Sequence, residues 1–315
     1  MNTLLTVGSV AFDSIETIFA KSGKILGGAG TYISIAASIF NIRNNLISIV
    51  GGDFPEKYID IFRSRGIDLA GLIRKEDKKT FYWEGKYEKN MNIRHTLRTE
   101  LNVLAEFDPV LPQEYRTPTV LMLGNLSPDV QYKVISQLAV RPKLIVLDTM
   151  DYWIQNSRER LLEVIAQIDV ITINEEEARL LTDEYFLLKA ARKIFTYGPK
   201  FVIIKKGDNG AALYARGDQM FFMPAYPLEV VYDPTGAGDT FAGSFCGYLA
   251  QTNDFSFENM KNAVVIASAV ASFNVEKFGT QRLLSLTENE IKERIQDFVA
   301  YTGFKFPKDL KLKIK

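Results

Sequence analysis

What most limits the fold of this 315-residue chain is a repeated unit: a short apolar run, rich in β-branched residues, that halts at glycine or a polar residue. The runs cover residues 4–10, 46–50, 120–123, 144–147, 170–173 and 201–204, and segments of helical apolar period lie between most of them. Runs apolar at every position, rather than at alternate ones, suit strands covered on both faces. Alternation with helices then gives right-handed crossovers and a largely parallel sheet, so the expected fold class is α/β with a three-layer α/β/α architecture. In open sheets of this kind ligands collect at the carboxyl ends of the strands. Here those ends read 8–13, Gly51-Gly52-Asp53, Gly124-Asn125, Asp148, Asn174-Glu175 and Lys205-Lys206-Gly207. Glycine, Asn and Asp are also ordinary turn residues. Polar endings on every run favour one shared cleft.

Two stretches break the rhythm. Residues 14–25 and 80–102 lack a helical apolar period, are densely charged, and contain the turn-like pairs Ser22-Gly23 and Glu84-Gly85 between strand-prone residues. They read as strands of a small separate sheet, and because they leave and rejoin the main body beside Asp13, the sheet is expected to be a lid over the cleft. A decorated edge of the main sheet is the alternative. No repeat or linker marks a second full domain, so residues 1–315 read as a single domain with the lid segments inserted.

Lys plus Arg total 38 and Asp plus Glu total 38, which leaves no charge excess for a nucleic acid or a membrane surface and makes a small molecule the expected partner. A lone cysteine, Cys246, can form neither an internal disulfide nor a cysteine metal cluster, which fits a reducing, cytoplasmic location. The first residues reach Asp13 and Glu16 too early for a secretory segment, and the weakly polar stretch 263–275 is too short to span a bilayer.

The densest chemistry lies in Asp233-Pro234-Thr235-Gly236-Ala237-Gly238-Asp239-Thr240-Phe241, followed by a helical apolar pattern. Pro234 biases Asp233 toward an extended conformation, and small residues at 236–238 let the backbone turn sharply into a helix whose first amides point outward unpaired. Such a start attracts anions. Asp239 falls in the first turn, placed to accept a proton from a hydroxyl lying against that anion. The plain alternative is a glycine-led helix start whose aspartate adds about 0.3–1 kcal/mol through the helix dipole. Neither common phosphate motif fits, because Phe241 stands where a dinucleotide fingerprint needs Gly or Ala and the chain has no GxxxxGK[ST].

At these residues the sequence resembles the ribokinase-like, or PfkB, carbohydrate kinases, whose signature is Asp-Thr-x-Gly-Ala-Gly-Asp; Pro234 departs from it. The resemblance continues, in order, through Gly27-Gly28, Gly51-Gly52-Asp53, Gly66-Ile67-Asp68, Asn174-Glu175-Glu176-Glu177, Lys206-Gly207-Asp208-Asn209-Gly210 and the small-residue stretch 263–272. It implies a ribokinase-like fold with a β-sheet lid and an ATP- and Mg²⁺-dependent phosphotransferase acting on a hydroxyl of a neutral sugar. Asp239 matches the general base, and Gly236, Ala237 and Gly238 match the anion hole. Asn174 and Glu177 match the element that holds phosphate oxygens and magnesium, largely through water, which suits an ion that dehydrates reluctantly. Asn174 capping an acidic first turn is the structural alternative. Lys205, Gly207 and Gly210 align with the loop along the nucleotide, where a β-hairpin turn is an equally good local reading. Residues 267–279 resemble the adenine-pocket stretch and, in some members, a loop for a monovalent cation. Lid strands form dimer contacts in related kinases, so the resemblance also carries a homodimer.

On the acceptor side Asp13, Gly27, Gly28 and Gly30 lie where the family binds sugar hydroxyls, and a carboxylate suits paired hydroxyls because it only accepts. Ribokinases carry Lys and Asn where this chain has Ala29 and Tyr32, which puts ribose itself in doubt. Thr149-Met150-Asp151 lacks the Asn and Arg of some sugar-acid kinases, and its acid disfavours anionic acceptors. Phe81, Tyr82, Trp83 and Tyr87 enrich the lid in aromatics, with Phe81 and Trp83 expected on one face. They either fill a lid core or stack on a ring, which keeps a nucleoside acceptor open. His95 reads as a surface residue of the lid and Cys246 as part of a helix layer. Two rival functions stand beside the kinase: a nicotinamide-dependent oxidoreductase on a similar sheet, and a non-catalytic nucleotide-binding regulator.

Overall fold

The structure, a computed structural model, describes residues 1–303. Among the described residues thirteen strands follow in chain order, with helices between many of them: β1 (Thr3–Val7), β2 (Ala11–Glu16), β3 (Lys21–Gly27), β4 (Arg43–Gly51), β5 (Ile67–Lys75), β6 (Tyr82–Tyr87), β7 (Arg94–Glu100), β8 (Val120–Leu123), β9 (Leu144–Asp148), β10 (Val170–Asn174), β11 (Phe201–Lys205), β12 (Ala211–Ala215) and β13 (Met220–Met223). Nine of them form one sheet in the order β13-β12-β11-β10-β9-β8-β1-β4-β5. Its members run parallel from β5 to β11, and β12 and β13 close one edge as antiparallel strands.

Continuous apolar runs translate directly into a sheet covered on both sides. Leu5, Val7, Leu121, Leu123, Ile145 and Leu147 enter one core, and the residues between them, Leu4, Val120, Met122, Leu144 and Val146, enter the core on the opposite face. The second core is closed by the small-residue helices Ala29–Ala37, Ala237–Thr252 and Phe257–Asn274. Close packing there uses glycine: a Cβ on Gly243 would come within 2.3 Å of the Ile33 carbonyl oxygen. Cys246 is fully buried in this layer. Residues 263–274 belong to the Phe257–Asn274 helix, and no helix among the described residues is long and apolar enough to cross a membrane.

A separate four-stranded sheet, ordered β3-β2-β6-β7, forms the lid, so both irregular stretches pair with each other. Its turns differ from those expected. The β2–β3 reversal falls at Thr17–Ala20, where the Thr17 amide donates to the Ala20 carbonyl at 3.0 Å. Ser22-Gly23 instead lies within β3 opposite a bulge, with the Ser22 hydroxyl accepting from the Ile15 amide at 2.9 Å and Gly23 at φ +65°. Glu84-Gly85 lies within β6, and the true β6–β7 turn is at Glu88–Ile93. Gly85 serves the Trp83 indole, which lies flat across it: a Cβ there would be 2.1 Å from the ring. Sequence reasoning also left out β5, which forms the parallel edge of the main sheet and is buried at only two of its positions.

The lid reaches across the carboxyl ends of the main sheet. The Tyr87 phenol accepts a hydrogen bond from the Thr235 hydroxyl at 3.1 Å, Phe19 at the first hairpin tip stacks on Tyr232 at 4.8 Å, and Asn92 at the second tip approaches Gly207.

Candidate active site

The loop 233–239 is held from behind by groups that accept or donate along its turn. Asp233 is fully buried; its carboxylate accepts from the Thr235 amide and from the Gly279 amide, both at 2.9 Å. Asn274 donates to the Thr235 carbonyl at 2.8 Å. These bonds let Gly236 turn at φ +74°, a left-handed conformation that favours glycine, directly against the Tyr32 ring. From there the Ala237–Thr252 helix begins. Its N-cap offers no side-chain bond, and although Ala237 donates back to Pro234 and Thr240 to Gly236, the amides of Gly236, Gly238 and Asp239 have no protein partner among the described residues. Unpaired donors at a positive helix end are what an anion requires.

Asp239 stands in that first turn. Burial pushes its carboxyl up to about 7, the like charge of Asp148 adds to this, and Lys205 and Arg94 oppose it. A base with a pKa near neutrality combines availability with proton affinity.

Three neighbouring strand ends bring charge to the same point. From β11, the Lys205 ammonium reaches Asp148 at the end of β9 at 2.8 Å, and it stands 3.1 Å from where a Cβ on Gly238 would be. Asp148 is braced by the Thr172 hydroxyl at 3.0 Å. Burial alone would lower the Lys205 pKa, but Asp148 and Glu177 outweigh it and hold the amine charged. At the end of β10, Asn174 and Glu177 form a reciprocal capping box, with bonds of 2.8 and 2.9 Å, which is the helix-cap alternative read from the sequence. One Glu177 oxygen takes the Asn174 amide; the carboxyl as a whole is pushed up to about 7, first by burial, with Lys205 opposing and Asp148 adding to it. Among the described residues no three acidic, His or Cys side chains gather as a direct metal cage. Exposed Asp151 adds its charge to Glu177, on this side of the cleft.

Gly207 and Gly210, at φ +56° and +86°, make the turn from β11 to antiparallel β12. Space at Gly210 is taken by the Met223 carbonyl of β13, 2.0 Å from a would-be Cβ, whereas Gly207 faces Asn92 of the lid. The stretch 267–279 ends the Phe257–Asn274 helix and returns to Asp233 through the Gly279 amide.

On the other side Asp13, only 4% exposed, points into the cleft from β2. Burial pushes its carboxyl up to about 7; the Gly28 amide counters this, and Asp233 and Asp239 raise it further, which sets Asp13 and Asp239 in one electrostatic pocket. Gly27 is required by that carboxyl, because a Cβ would fall 2.0 Å from its Oδ2. Gly28, at φ +91°, and Gly30 permit the close crossing of the β1–β2 turn: the Gly30 amide donates to the Ser9 carbonyl at 2.8 Å. These three glycines therefore shape the floor under Asp13, with the room at Gly27 filled by the Asp13 carboxyl and that at Gly28 and Gly30 chiefly by backbone.

Sequence reasoning assigned a site role to none of three contributors: Arg94 was not named, Asp148 was named as a strand end and Tyr87 as a lid aromatic. Asp148 ended a predicted strand and its pairing with Lys205 follows from β9 and β11 flanking β10. Tyr87 and Arg94 needed the lid register, in which they are directly opposed. Arg94 lies 5.3 Å over the Trp83 ring, and Trp83 is paired with Asp13 across β2 and β6, so indole, guanidinium and carboxyl share the cleft face. Phe81 precedes the strand, and Tyr82, half-buried, packs against the core that contains Phe12 and Phe54, with Arg98 over its ring at 5.8 Å. His95 is exposed and meets Glu88 at 2.7 Å.

Comparison with known proteins follows the same outline. A family model described as pfkB family carbohydrate kinase matches residues 19–287. The chain is similar to a ribokinase of Staphylococcus aureus, 33% identical over 91% of this chain and 98% of that one. It is also similar to a cytidine kinase of Thermococcus kodakarensis, 27% identical over 79% of this chain and 89% of that one. Among solved structures, a putative ribokinase II from E. coli in complex with ATP and Mg²⁺ superposes with a TM-score of 0.79 at 21% identity, over 94% of this chain and all of that one, a likeness of fold.

Proposed function

The chain belongs to the pfkB family of carbohydrate kinases, and from that premise we propose that it moves the γ-phosphoryl group of ATP to a hydroxyl of a neutral sugar or sugar-like acceptor with Asp239 as base. ATP-dependent phosphotransfer is the family's chemistry and displaces both the oxidoreductase and the non-catalytic readings. The observation that carries our assignment of roles is the convergence of unpaired amides at Gly238 and Asp239, the Asp239 carboxylate and the Lys205 ammonium on one point.

In this reading the acceptor lies on Asp13 with one hydroxyl toward Asp239. Asp239 takes the hydroxyl proton as the oxygen attacks the γ-phosphorus; the bond from phosphorus to the β–γ bridging oxygen breaks, and ADP leaves with that electron pair. Charge on the equatorial oxygens is met by the amides of Gly236, Gly238 and Asp239 and by Lys205, whereas the Ala237 amide expected in the anion hole is taken by the Pro234 carbonyl; positioning and electrostatics supply most of the acceleration. Mg²⁺ would be held by Glu177 through water, beside Asn174, and would neutralise phosphate charge. Lys205, Gly207 and Gly210 would follow the nucleotide. A monovalent cation would sit beside buried Asp233 and the 275–279 turn. The lid contacts at Thr235, Tyr232 and Gly207 fit closure over both substrates before transfer.

A nucleoside acceptor is the second reading, favoured by one observation. Trp83 is the direct cross-strand partner of Asp13, so a base attached to a sugar held by Asp13 meets an indole face.

We take residues 1–315 as one kinase unit, and the buried thiol of Cys246 fits a cytoplasmic home. For assembly we propose a homodimer through the lid, whose outer strand β7 is exposed at nearly every position. A monomer at all concentrations in sedimentation would remove that proposal.

The function is tested by ADP release with MgATP across ribose, fructose, other neutral sugars, cytidine and adenosine. Acceptor-dependent ADP release is expected from at least one. Release that no sugar or nucleoside stimulates would contradict the reading.

A further inference from the structure

Arg94 is a cation without a counter-ion on the cleft face of the lid. Strand alternation puts Trp83, Gly85 and Tyr87 on one face of β6, and Arg94 is the direct partner of Tyr87 on β7. That face looks into the cleft, because the Tyr87 hydroxyl meets Thr235 of the 233–239 loop and Trp83 pairs with Asp13. On the opposite face of the lid the basic side chains have acidic partners: Lys21 and Lys86 reach Glu16 at 2.7 and 2.8 Å, and Arg98 reaches Glu100. Arg94 is exposed and makes neither an ion pair nor a hydrogen bond among the described residues; what it meets is the Trp83 ring, 5.3 Å from the centroid.

The indole is itself fixed. One of its faces lies on Gly85, where a Cβ would come within 2.1 Å of the ring, and its Nε1 donates to the Thr96 hydroxyl at 3.3 Å. Arg94 therefore covers the other face, and its guanidinium leans from the Tyr87–Arg94 pair back toward the Gly85–Thr96 pair, away from Thr235 and toward the Asp13 end of the lid. Asp13 and Asp239 both feel its charge, which opposes the rise that burial imposes on their carboxyls. A guanidinium laid on an aromatic ring keeps its edge free as a rigid fork of N–H donors. Phosphate is a common partner of such a fork, but the phosphate end of this cleft already has Lys205 and the unpaired amides of Gly236, Gly238 and Asp239, and Arg94 leans the other way.

We propose that Arg94 is a specificity-determining residue for a nucleoside acceptor: its guanidinium donates two N–H groups to two adjacent acceptor atoms on the edge of the base. The inference rests on the nucleoside reading given above. In the lid β2 and β7 are two strand spacings apart, about 10 Å, so a ring that reaches Arg94 from a sugar on Asp13 is a substituent of that sugar and not the sugar itself. The fork sorts bases by their acceptor pattern. Cytosine offers O2 beside N3, and hypoxanthine and guanine offer O6 beside N7. Uracil places an N–H between its two carbonyls, and adenine sets its amino group beside both N1 and N7, so neither has two adjacent acceptors. Cytidine, inosine and guanosine are therefore selected over uridine and adenosine.

The test measures ADP release with MgATP for cytidine, inosine, uridine and adenosine, with ribose and fructose alongside, in wild type, Arg94→Gln and Arg94→Lys. Wild type should use cytidine and inosine about 5–100-fold better in kcat/KM than uridine and adenosine, the scale of one bidentate arginine–base pair. Arg94→Gln should close that gap by raising KM for cytidine and inosine far more than it lowers kcat. Arg94→Lys keeps the charge but loses the fork, so it should leave the gap closed. A gap that survives Arg94→Gln, or no gap in wild type, overturns the proposal. So does an equal fall in kcat on all four nucleosides, which would place Arg94 on the transferring phosphate. Recovery of the gap in Arg94→Lys would reduce Arg94 to a bare charge and overturn the fork. ADP release stimulated by a free sugar but by none of the nucleosides would remove the nucleoside reading, and the base contact with it.

Discussion

Two helix starts face each other across this molecule, both led by glycine in a positive-φ conformation and both without a side-chain cap, yet one is full and the other is open. At the Ala29–Ala37 helix, Gly28 sits at φ +91°, and the amides of Ala29 and Gly30 are taken by the Ser9 hydroxyl and carbonyl at 3.2 and 2.8 Å. At the Ala237–Thr252 helix, Gly236 sits at φ +74°, and the amides of Gly236, Gly238 and Asp239 are left without protein partners among the described residues. Glycine alone therefore does not make an anion site. The turn must also withhold its donors from the protein, and it must bring a cation and a base to the same place, the roles proposed here for Lys205 and Asp239. The first start uses its glycines to let backbone and the Asp13 carboxyl come close; the second uses them to leave room.

The sharpest way to break this comparison is to remove the cation at the open start. Lys205→Met should lower kcat/KM for ATP by about 10²–10³, the scale of losing one preorganised charge-stabilising group. Steady-state ADP release measures it, and a loss under about tenfold would detach Lys205 from the transferring phosphate.

Next in size is a contrast in stability between the two starts. Gly28→Ala forces an L-residue into a strained φ and sets a Cβ 2.5 Å from the Ser9 carbonyl, so urea unfolding should show a loss of at least about 1–3 kcal/mol. Gly238→Ala meets only the flexible Lys205 amine at 3.1 Å, so its stability should stay within about 0.5 kcal/mol of wild type while transfer slows. Equal destabilisation at both positions would mean that the two turns do the same structural job.

Much of this contrast was legible in the sequence, for physical reasons that differ from residue to residue. Apolar runs such as 120–123 and 144–147 had to be strands covered on both faces, and the strands match them almost residue for residue. The loop 233–239 was legible because proline, threonine and three small residues before a helical period permit few backbone paths. Turns in the lid were not, because Gly23 and Gly85 serve a bulge and an indole, uses that the one-dimensional pattern does not separate from reversal. Arg94 stayed hidden, and the face taken by Tyr87 stayed open, because strand register decides which face a side chain takes, and that register was set by the pairing of β6 with β7. Tyr32 appeared only as a departure from the ribokinase pattern; its ring against Gly236 is a three-dimensional fact.

The smallest expected effect is in pH dependence. With the carboxyl of Asp239 near 7, kcat/KM should rise with pH and level off above neutrality as the base ionises. Asp148→Asn removes a like charge and should move that acid limb to lower pH; movement to higher pH would contradict the charge assignment. The unliganded fold should respond in the opposite sense. Asp13, Asp239 and Glu177 are raised from 3.8, 3.8 and 4.5 to about 7, so the folded state holds protons that the unfolded chain has released. Their contribution is greatest below about pH 4 and is lost as pH rises through about 7, which melting midpoints across that range would show.

The most direct test of the open helix start as phosphate site and of Asp239 as base is to measure turnover and ATP affinity together in Asp239→Asn. Turnover should fall by about 10²–10⁴ while the dissociation constant for ATP stays within a few-fold, because the amides and Lys205 are untouched. Near-normal turnover, or a loss of ATP binding as large as the loss of rate, would contradict the account.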